Sequence, residues 1–291
     1  MIQSSYFSLG ATLYTPCNHR HLKKIVRDGM GSKSMVFCTE DSVSLHDLKF
    51  SLNNLQEAIQ GLDEVGQPFR RFIRPRNSNI LSQILDFQGV ENIDGFVLPK
   101  FDLKTSVEYN KVLQGHEHKF KLMPTLESLD VMNPNKLNHI RELLQGINGE
   151  VICLRIGGND LFNLLGIKRM PRQTIYETPL RTIIDNLIIA FRPYGYELSA
   201  PVFDMLHDQE TLIRELEMDV SYGFFGKTAI HPTQVKIIED YFHNYSSIHI
   251  DQAESVLSEL PSAVFKMNGQ MMEAACHGNW ARRTKSLANS Y

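Results

Sequence analysis

Phe120–Lys–Leu–Met–Pro–Thr–Leu–Glu127 and Val151–Ile–Cys–Leu–Arg–Ile–Gly–Gly–Asn–Asp160 are two short apolar runs that each end in an acid. Between them, residues 134–145 carry a helical pattern, with Pro134 suited to the first turn. Strand, helix and strand in that order predict a parallel pair, because parallel neighbours need a long crossover connection. A carboxylate at the exit of a buried strand, beside glycines, is poorly explained by packing alone. Two of them on neighbouring strands fit one shared divalent ion, since hard cations such as Mg²⁺ take oxygen ligands and keep positions open for water or substrate.

The alternation continues outward in both directions. Strands are predicted at residues 11–15, 34–39, 71–74, 95–98, 120–125, 151–156, 196–202 and 223–230. Helices are predicted at 19–27, 44–60, 79–87, 104–114, 134–145, 180–191, 209–218 and 232–244, the second marked by Leu45, Leu48, Leu52 and Leu55 at helical spacing. A long connection spans 162–179, and two helical segments at about 251–260 and 271–287 complete the chain. Eight strands each followed by a helix predict an α/β fold, a (β/α)8 TIM barrel, and 291 residues suit one such domain. Residues 1–246 are assigned to the barrel. Residues 247–291 are assigned to a helical extension that packs on the barrel or on a neighbouring subunit. An open doubly wound sheet would want a glycine-rich phosphate turn, and the chain has neither G-x-G-x-x-G nor a P-loop.

Composition narrows the classes of function. A hydrophobic fraction of 42% and a charged fraction of 22% are those of an ordinary soluble globular protein. A net charge of −3 leaves no electrostatic footprint for nucleic acid or an anionic membrane. No apolar run approaches the roughly 18 residues that span a bilayer. Met1–Ile–Gln–Ser–Ser–Tyr6 has no basic n-region or long h-region, so a cytoplasmic protein without a secretory signal is expected. Cys17, Cys38, Cys153 and Cys276 are far apart and form no C-x-x-C, which reads as reduced, buried thiols. The pairs His19/His21 and His116/His118 have no zinc spacing to a Cys or Asp cluster and read as solvated.

In such barrels the chemistry sits at the C-terminal ends of the strands. Those ends carry Thr15, Glu40 and Asp41, Arg74 and Arg76, Lys100, Glu127, Asn159 and Asp160, Asp204, and His231. Arg74 and Arg76 flank Pro75 and suit bidentate binding of a carboxylate or phosphate; the alternative is that they neutralise Glu40, Asp41 or Glu127. Lys100 adds positive charge or simply ends a loop. Asp160 is a metal ligand or the cap of the Leu–Phe–Asn–Leu–Leu run after it. Asp41 or Ser42 equally suits a cap, and His231 a structural hydrogen bond.

Gly223–Phe–Phe–Gly–Lys–Thr–Ala–Ile–His–Pro–Thr–Gln234 closely resembles the signature that closes the barrel in the citrate lyase β-subunit-like (HpcH/HpaI aldolase) family. Leu13–Tyr–Thr–Pro16, Cys38–Thr–Glu–Asp–Ser–Val43, Gly95–Phe–Val–Leu–Pro–Lys100, Pro124–Thr–Leu–Glu127 and Gly158–Asn–Asp–Leu161 resemble its other motifs in the same order. Ile73–Arg–Pro–Arg–Asn77, Leu154–Arg–Ile–Gly–Gly–Asn–Asp160, Gln173–Thr–Ile–Tyr–Glu–Thr–Pro179, Ser199–Ala–Pro–Val–Phe203 and Met267–Asn–Gly–Gln–Met–Met–Glu273 are similar to one branch, the TIM-barrel C–C bond lyases found with tellurite-resistance and stress-response gene clusters.

The resemblance implies a Mg²⁺-dependent carbon–carbon lyase or aldolase, with Mn²⁺ as an alternative metal. It would act through a metal-stabilised enolate on a small carboxylate-bearing hydroxy acid or its thioester. It implies Glu127 and Asp160 as metal ligands and Arg74 as the carboxylate-binding arginine. Glu40 or Asp41 becomes the general base. Arg76, Lys100, Asn159, Arg169 and Arg172 become further substrate contacts, the last two on a lid-like sixth loop. A homo-oligomer is also implied. Gly10 stands where coenzyme A-using relatives commonly carry arginine, and Cys38 where the second-strand motif has Asp; both speak against an acyl-CoA substrate. The alternatives are a thioester hydrolase on the same site and a non-catalytic partner subunit.

Overall fold

The computed structural model describes residues 4–62, 69–116, 119–258 and 262–291. The Met1–Gln3 start, His118 of the second histidine pair and the end of the helix expected to reach residue 260 lie outside them. Among the described residues, eight parallel staves form the barrel wall. They are β1 (Ala11–Pro16), β2 (Ser34–Cys38), β3 (Arg70–Arg74), β4 (Gly95–Leu98), β5 (Lys121–Leu126), a sixth stave split into β6 (Glu150–Val151) and β7 (Leu154–Ile156), β8 (Leu198–Ser199) and β9 (Lys227–Ala229). The neighbours run β8-β7-β5-β4-β3-β2-β1-β9, with β6 also beside β5. A parallel bridge from Ala200 to Lys227 closes the ring. The outer layer consists of α1 (Ser4–Phe7), α2 (Leu22–Asp28), α3 (Leu48–Ile59), α4 (Ser78–Leu85), α5 (Thr105–Leu113), α6 (Pro134–Gln145), α7 (Gly158–Leu165), α8 (Leu180–Phe191), α9 (Gln209–Ser221), α10 (Pro232–Val256) and α11 (Ala274–Ala288).

Successive side chains of a strand face opposite sides, so register decides what fills the barrel. Thr12 pairs with Ser34 and with Thr228, and Thr125 pairs with Arg155. These polar residues meet inside: Ser34 Oγ donates to Thr12 Oγ1 at 2.9 Å, and Arg155 Nη2 donates to Thr228 Oγ1 at 2.6 Å. The alternate positions Met35, Phe37, Ile73, Leu122 and Leu154 are buried and join the apolar layer between barrel and helices.

Charge is buried in that layer too. Lys227 Nζ donates to Glu215 Oε1 at 2.9 Å and to Asp219 Oδ2 at 2.8 Å, all three side chains being fully buried. Arg169 also pairs with Glu215, and Tyr176 Oη donates to Asp219 Oδ1 at 2.6 Å. Burial pushes Asp219 up to about 6, against the pull of Lys227. Two acids and two cations bind α9, β9 and the loop after α7 into one cluster.

Several elements differ from expectation. The segments at 232–244 and 251–260 are one helix, α10, which runs unbroken through the 246–247 boundary drawn from the sequence. Burial of Ser246, Gln252 and Ala253 supplies the tertiary packing that overrides the weak helix formers between. The helix expected at 271–287 opens instead as a hairpin, β10 (Val264–Met267) and β11 (Gln270–Glu273), and becomes α11 only at Ala274. Asn268 (φ 50°) and Gly269 (φ 78°) make its two-residue turn, the dipeptide that suits mirror-image hairpin turns. α11 is tied to the barrel by Arg283, whose Nη2 lies 2.6 Å from Glu197 Oε2. The connection at 162–179 is shorter than expected, because α7 takes its first residues and ends at Gly166 in the left-handed conformation. Among the described residues, no helix is long and apolar enough to cross a membrane.

Removing one member of a fully buried ion cluster leaves its partners uncompensated. Lys227→Met is expected to lower the unfolding free energy in urea by about 3–5 kcal/mol; a loss below about 1 kcal/mol would show that the cluster does not hold the last stave.

Candidate active site

Glu127 leaves β5 with its side chain 1% exposed. Oε1 accepts from Arg74 Nη2 and from the Lys100 backbone N–H, both at 2.8 Å. Oε2 has no donor among the described residues. Arg74, at the end of β3, also reaches Glu40 Oε2 at 2.9 Å, so one guanidinium spans two buried carboxylates. Lys100 Nζ lies 2.5 Å from Glu40 Oε1, 3.2 Å from Asp41 Oδ1 and 3.7 Å from Asp160 Oδ1. Lys100 has φ 49°, a conformation that costs a non-glycine residue roughly 1 kcal/mol and aims its backbone N–H at Glu127. A side chain at Gly157 would run into the Glu127 carboxylate, which explains a glycine at the start of α7.

These groups border a cavity of about 320 Å³ inside the barrel mouth. Its lining includes Asp41, Arg74, Glu127, Asn159 and Asp160. Burial pushes Glu127 up to about 7; Arg74 pulls it down and the charge of Asp160 pushes it up further. Burial also raises Glu40, against Arg74. Asp41 is pushed up by burial, but its hydrogen bond with Glu40 and the charge of Lys100 outweigh this and hold it low. Burial would strip the protons of Arg74 and Lys100, yet the surrounding carboxylates keep both firmly charged. Four carboxylates, Glu40, Asp41, Glu127 and Asp160, thus face two cations, Arg74 and Lys100.

The expected site residues divide in two. Arg74, Glu40, Asp41, Lys100, Asn159, Glu127 and Asp160 meet at this mouth. Asp160 is not a cap: the N-cap of α7 is Gly157, and no side chain bonds there. Arg76, Arg169 and Arg172 are corrections. Arg76 Nη1 donates to the Glu40 and Val43 carbonyls, because the chain bends at Arg76 and Asn77 and Arg76 staples the loop after β2. Arg169 is 2% exposed and committed to Glu215 and to Asp204 at 2.8 Å, so it pins the sixth loop rather than reaching a ligand. Arg172 is exposed, with its backbone N–H 3.3 Å from Asp208, and does not line the cavity. His231 caps α10, its Nδ1 accepting from Thr233 N–H at 3.3 Å. Any side chain at Gly10 would meet the Glu239 carboxylate, which takes the space an arginine would need.

Three cavity residues escaped the sequence reading: Tyr14, Thr125 and Arg155. The signal for Arg155 was present, a charged residue at an inward position of an apolar strand. Thr125 Oγ1, Arg155 Nε and Arg74 Nε are buried without partners among the described residues. No group of three or more His, Cys, Asp or Glu that could hold a metal occurs among those residues. Glu127 and Asp160 could supply two oxygen donors to a cation, whose remaining ligands would then be water or substrate oxygens.

The family model for C–C bond lyases of the TIM-barrel fold matches residues 3–291. Citrate lyase subunit beta of Leuconostoc mesenteroides subsp. cremoris is 24% identical over 278 residues, covering 89% of this chain and 87% of that protein. A (3S)-malyl-CoA thioesterase of Cereibacter sphaeroides is 26% identical over 290 residues, covering 96% and 94%. Protein CitE from Mycobacterium tuberculosis, crystallised in complex with magnesium, acetoacetate and coenzyme A, has a TM-score of 0.69 at 16% identity, covering 97% of this chain and 98% of that one. That structural likeness bears on the fold.

The raised Glu127 carboxyl has a definite sign in solution. Its value rises from 4.5 to about 7 on folding, so the folded state holds the proton more tightly across that window. Stability should then fall as pH climbs from 4.5 to 7, by about 3 kcal/mol at most. In metal-free buffer, the Tm of wild type minus that of Glu127→Gln should be largest near the low end of this window and shrink above it; a difference that stays flat or grows would contradict the burial argument.

Proposed function

The chain belongs to the C–C bond lyases of the TIM-barrel fold, and from that premise we propose that the barrel mouth is the active site of a Mg²⁺-dependent lyase. It would cleave or form a bond β to a carbonyl in a carboxylate-bearing hydroxy acid or its thioester. The observation that carries this reading is that Glu127 Oε2 and Asp160 face one cavity without a hydrogen-bond donor among the described residues, Asp160 having only the Lys100 ammonium at 3.7 Å. All-oxygen donors suit Mg²⁺, with Mn²⁺ as an alternative, and the magnesium in the CitE crystal supports the choice. Glu127 and Asp160 would hold the ion, which when bound supplies Lewis-acid polarisation of a substrate carbonyl.

The other residues have roles that follow from their positions. Asp41 lines the cavity and is held ionised, so it is the proton acceptor for a substrate hydroxyl; Glu40 is buried and fixes Arg74 and Lys100. As the hydroxyl proton passes to Asp41, the carbon–carbon bond breaks, and its electron pair moves toward the carbonyl of the leaving fragment. Arg74 keeps an unpartnered donor, Nε–H, for an oxygen that gains charge in this step. Asn159, exposed at the lip, is available for substrate contact. A thioesterase is the second reading, favoured by the malyl-CoA thioesterase relative that covers nearly the whole chain. The apolar side chains of Ile248, Val264 and Met271, exposed on the C-terminal segment, support a homo-oligomer.

Two measurements test this. Millimolar Mg²⁺ should raise the Tm of wild type, and both Glu127→Gln and Asp160→Asn should abolish the rise; no metal response in wild type would remove the metal assignment. With hydroxyacyl thioesters as substrates, a lyase yields two carbon fragments. Release of thiol and an intact acid would instead establish the hydrolase.

A further inference from the structure

Arg155 is 2% exposed and reaches across the barrel interior from β7. Nη2 donates to Thr228 Oγ1 at 2.6 Å and Nη1 to Thr12 Oγ1 at 3.3 Å, Met123 Sδ is 3.7 Å away, and Nε has no acceptor. Among the described residues, no Asp or Glu lies within ion-pair distance of it. Arg74, Arg169 and Lys227 differ, each facing two carboxylates, whereas Arg71, also buried with only the Val26 and Arg27 carbonyls as acceptors, lies outside the cavity. The adjacent Cys153 thiol is pushed up to about 12 by burial, and the nearby Tyr14 hydroxyl is raised by burial too, so neither supplies a counter-charge at neutral pH.

A buried guanidinium carries a desolvation cost, and among the described residues only two threonine hydroxyls, the Met123 sulfur and the Tyr14 ring, 5.4 Å away, stand against it for Arg155. It lines the same cavity as Glu127 and Asp160. Its register partner Thr125 adds a second unpartnered polar atom there, Oγ1. The cavity is therefore polarised, with acids in excess at the mouth and an unpaired cation within.

We propose that Arg155, with Thr125, binds a second anionic group of the substrate, so that the enzyme takes dicarboxylates with one acid end at the mouth and the other directed into the barrel. This rests on the reading of the cavity as the substrate site. Arg155 would then select among substrates, whereas Arg74, already shared by two protein carboxylates, positions the reacting end.

The test is calorimetric binding of matched pairs, butanoate against succinate, lactate against malate and pentanoate against glutarate, each with and without Mg²⁺. In wild type at least one dicarboxylate should bind about tenfold tighter or better than its monocarboxylate, as one charge-assisted fork would give. Arg155→Met should reduce that preference to about twofold or less, leave monocarboxylate binding unchanged and keep the wild-type Tm or exceed it, since no acid is orphaned. A wild type that treats every pair alike, or an Arg155→Met variant that keeps the preference, overturns the proposal. So does a variant that loses its fold, because that assigns Arg155 to structure. Arg155→Lys, with the charge but not the fork, should keep a weakened preference, and its complete loss would count against an ionic site. Failure of the metal reading is separate: it appears as an absent Mg²⁺ response while the pairs still discriminate.

Discussion

The guanidinium of Arg74 lies between Glu127 and Glu40, 2.8 and 2.9 Å from their oxygens, and the whole mouth depends on this bridge. It lets two buried carboxylates from adjacent parts of the wall approach one another. Lys100 extends the bridge to Asp41 and Asp160, and does so from a left-handed backbone that also places an N–H on Glu127. The protein's own charges still do not balance there. Even with Arg155 counted, four acids stand against three bases, which leaves negative charge in a half-closed, low-dielectric space, where Coulomb energies are several-fold larger than in water. A divalent cation, as proposed, would cancel that excess, and it explains why so costly an arrangement is built at all.

The remainder of the fold serves to hold this arrangement still. The cluster of Lys227, Glu215, Asp219 and Arg169 sits outside the last stave and is internally neutralised, in contrast to the mouth. It anchors the sixth loop by Arg169 and the closing stave by Lys227. Gln234 does related work, donating to the Phe203 carbonyl at 2.7 Å and accepting from Ile230 N–H at 2.9 Å. The stretch from Gly223 to Gln234 that resembles a family signature is thus mainly a closure device, with Thr228 and Ile230 lining the cavity and Thr228 bonded to Arg155.

Much of this was legible in the sequence, for a physical reason. Parallel staves buried on both sides read as short apolar runs, and their exits stand out because a charge breaks the run; Glu127, Asp160, Arg74 and Lys100 were found that way. What failed was inference about long side chains. Arg76 and Arg169 carry the same charge as Arg74, and only a bend at Arg76 and Asn77 and two acids distant in sequence, Asp204 and Glu215, decide that they face elsewhere. Arg155 shows in the sequence as a charge inside an apolar strand, but that it lacks an acidic partner is visible only in the structure. The Asn268–Gly269 turn, by contrast, was readable from local chemistry and was obscured by the helical pattern after it.

Two carboxylates, one at the exit of β5 and one in the first turn of α7, are proposed to converge on one cation. A crystal grown with Mn²⁺ and phased to show anomalous scattering tests it directly. The account predicts one strong peak in the barrel mouth, bonded to an oxygen of Glu127 and an oxygen of Asp160 at roughly the 2.0–2.2 Å of a small hard cation. A saturated crystal with no peak there, or with manganese bound to only one of the two, would contradict it.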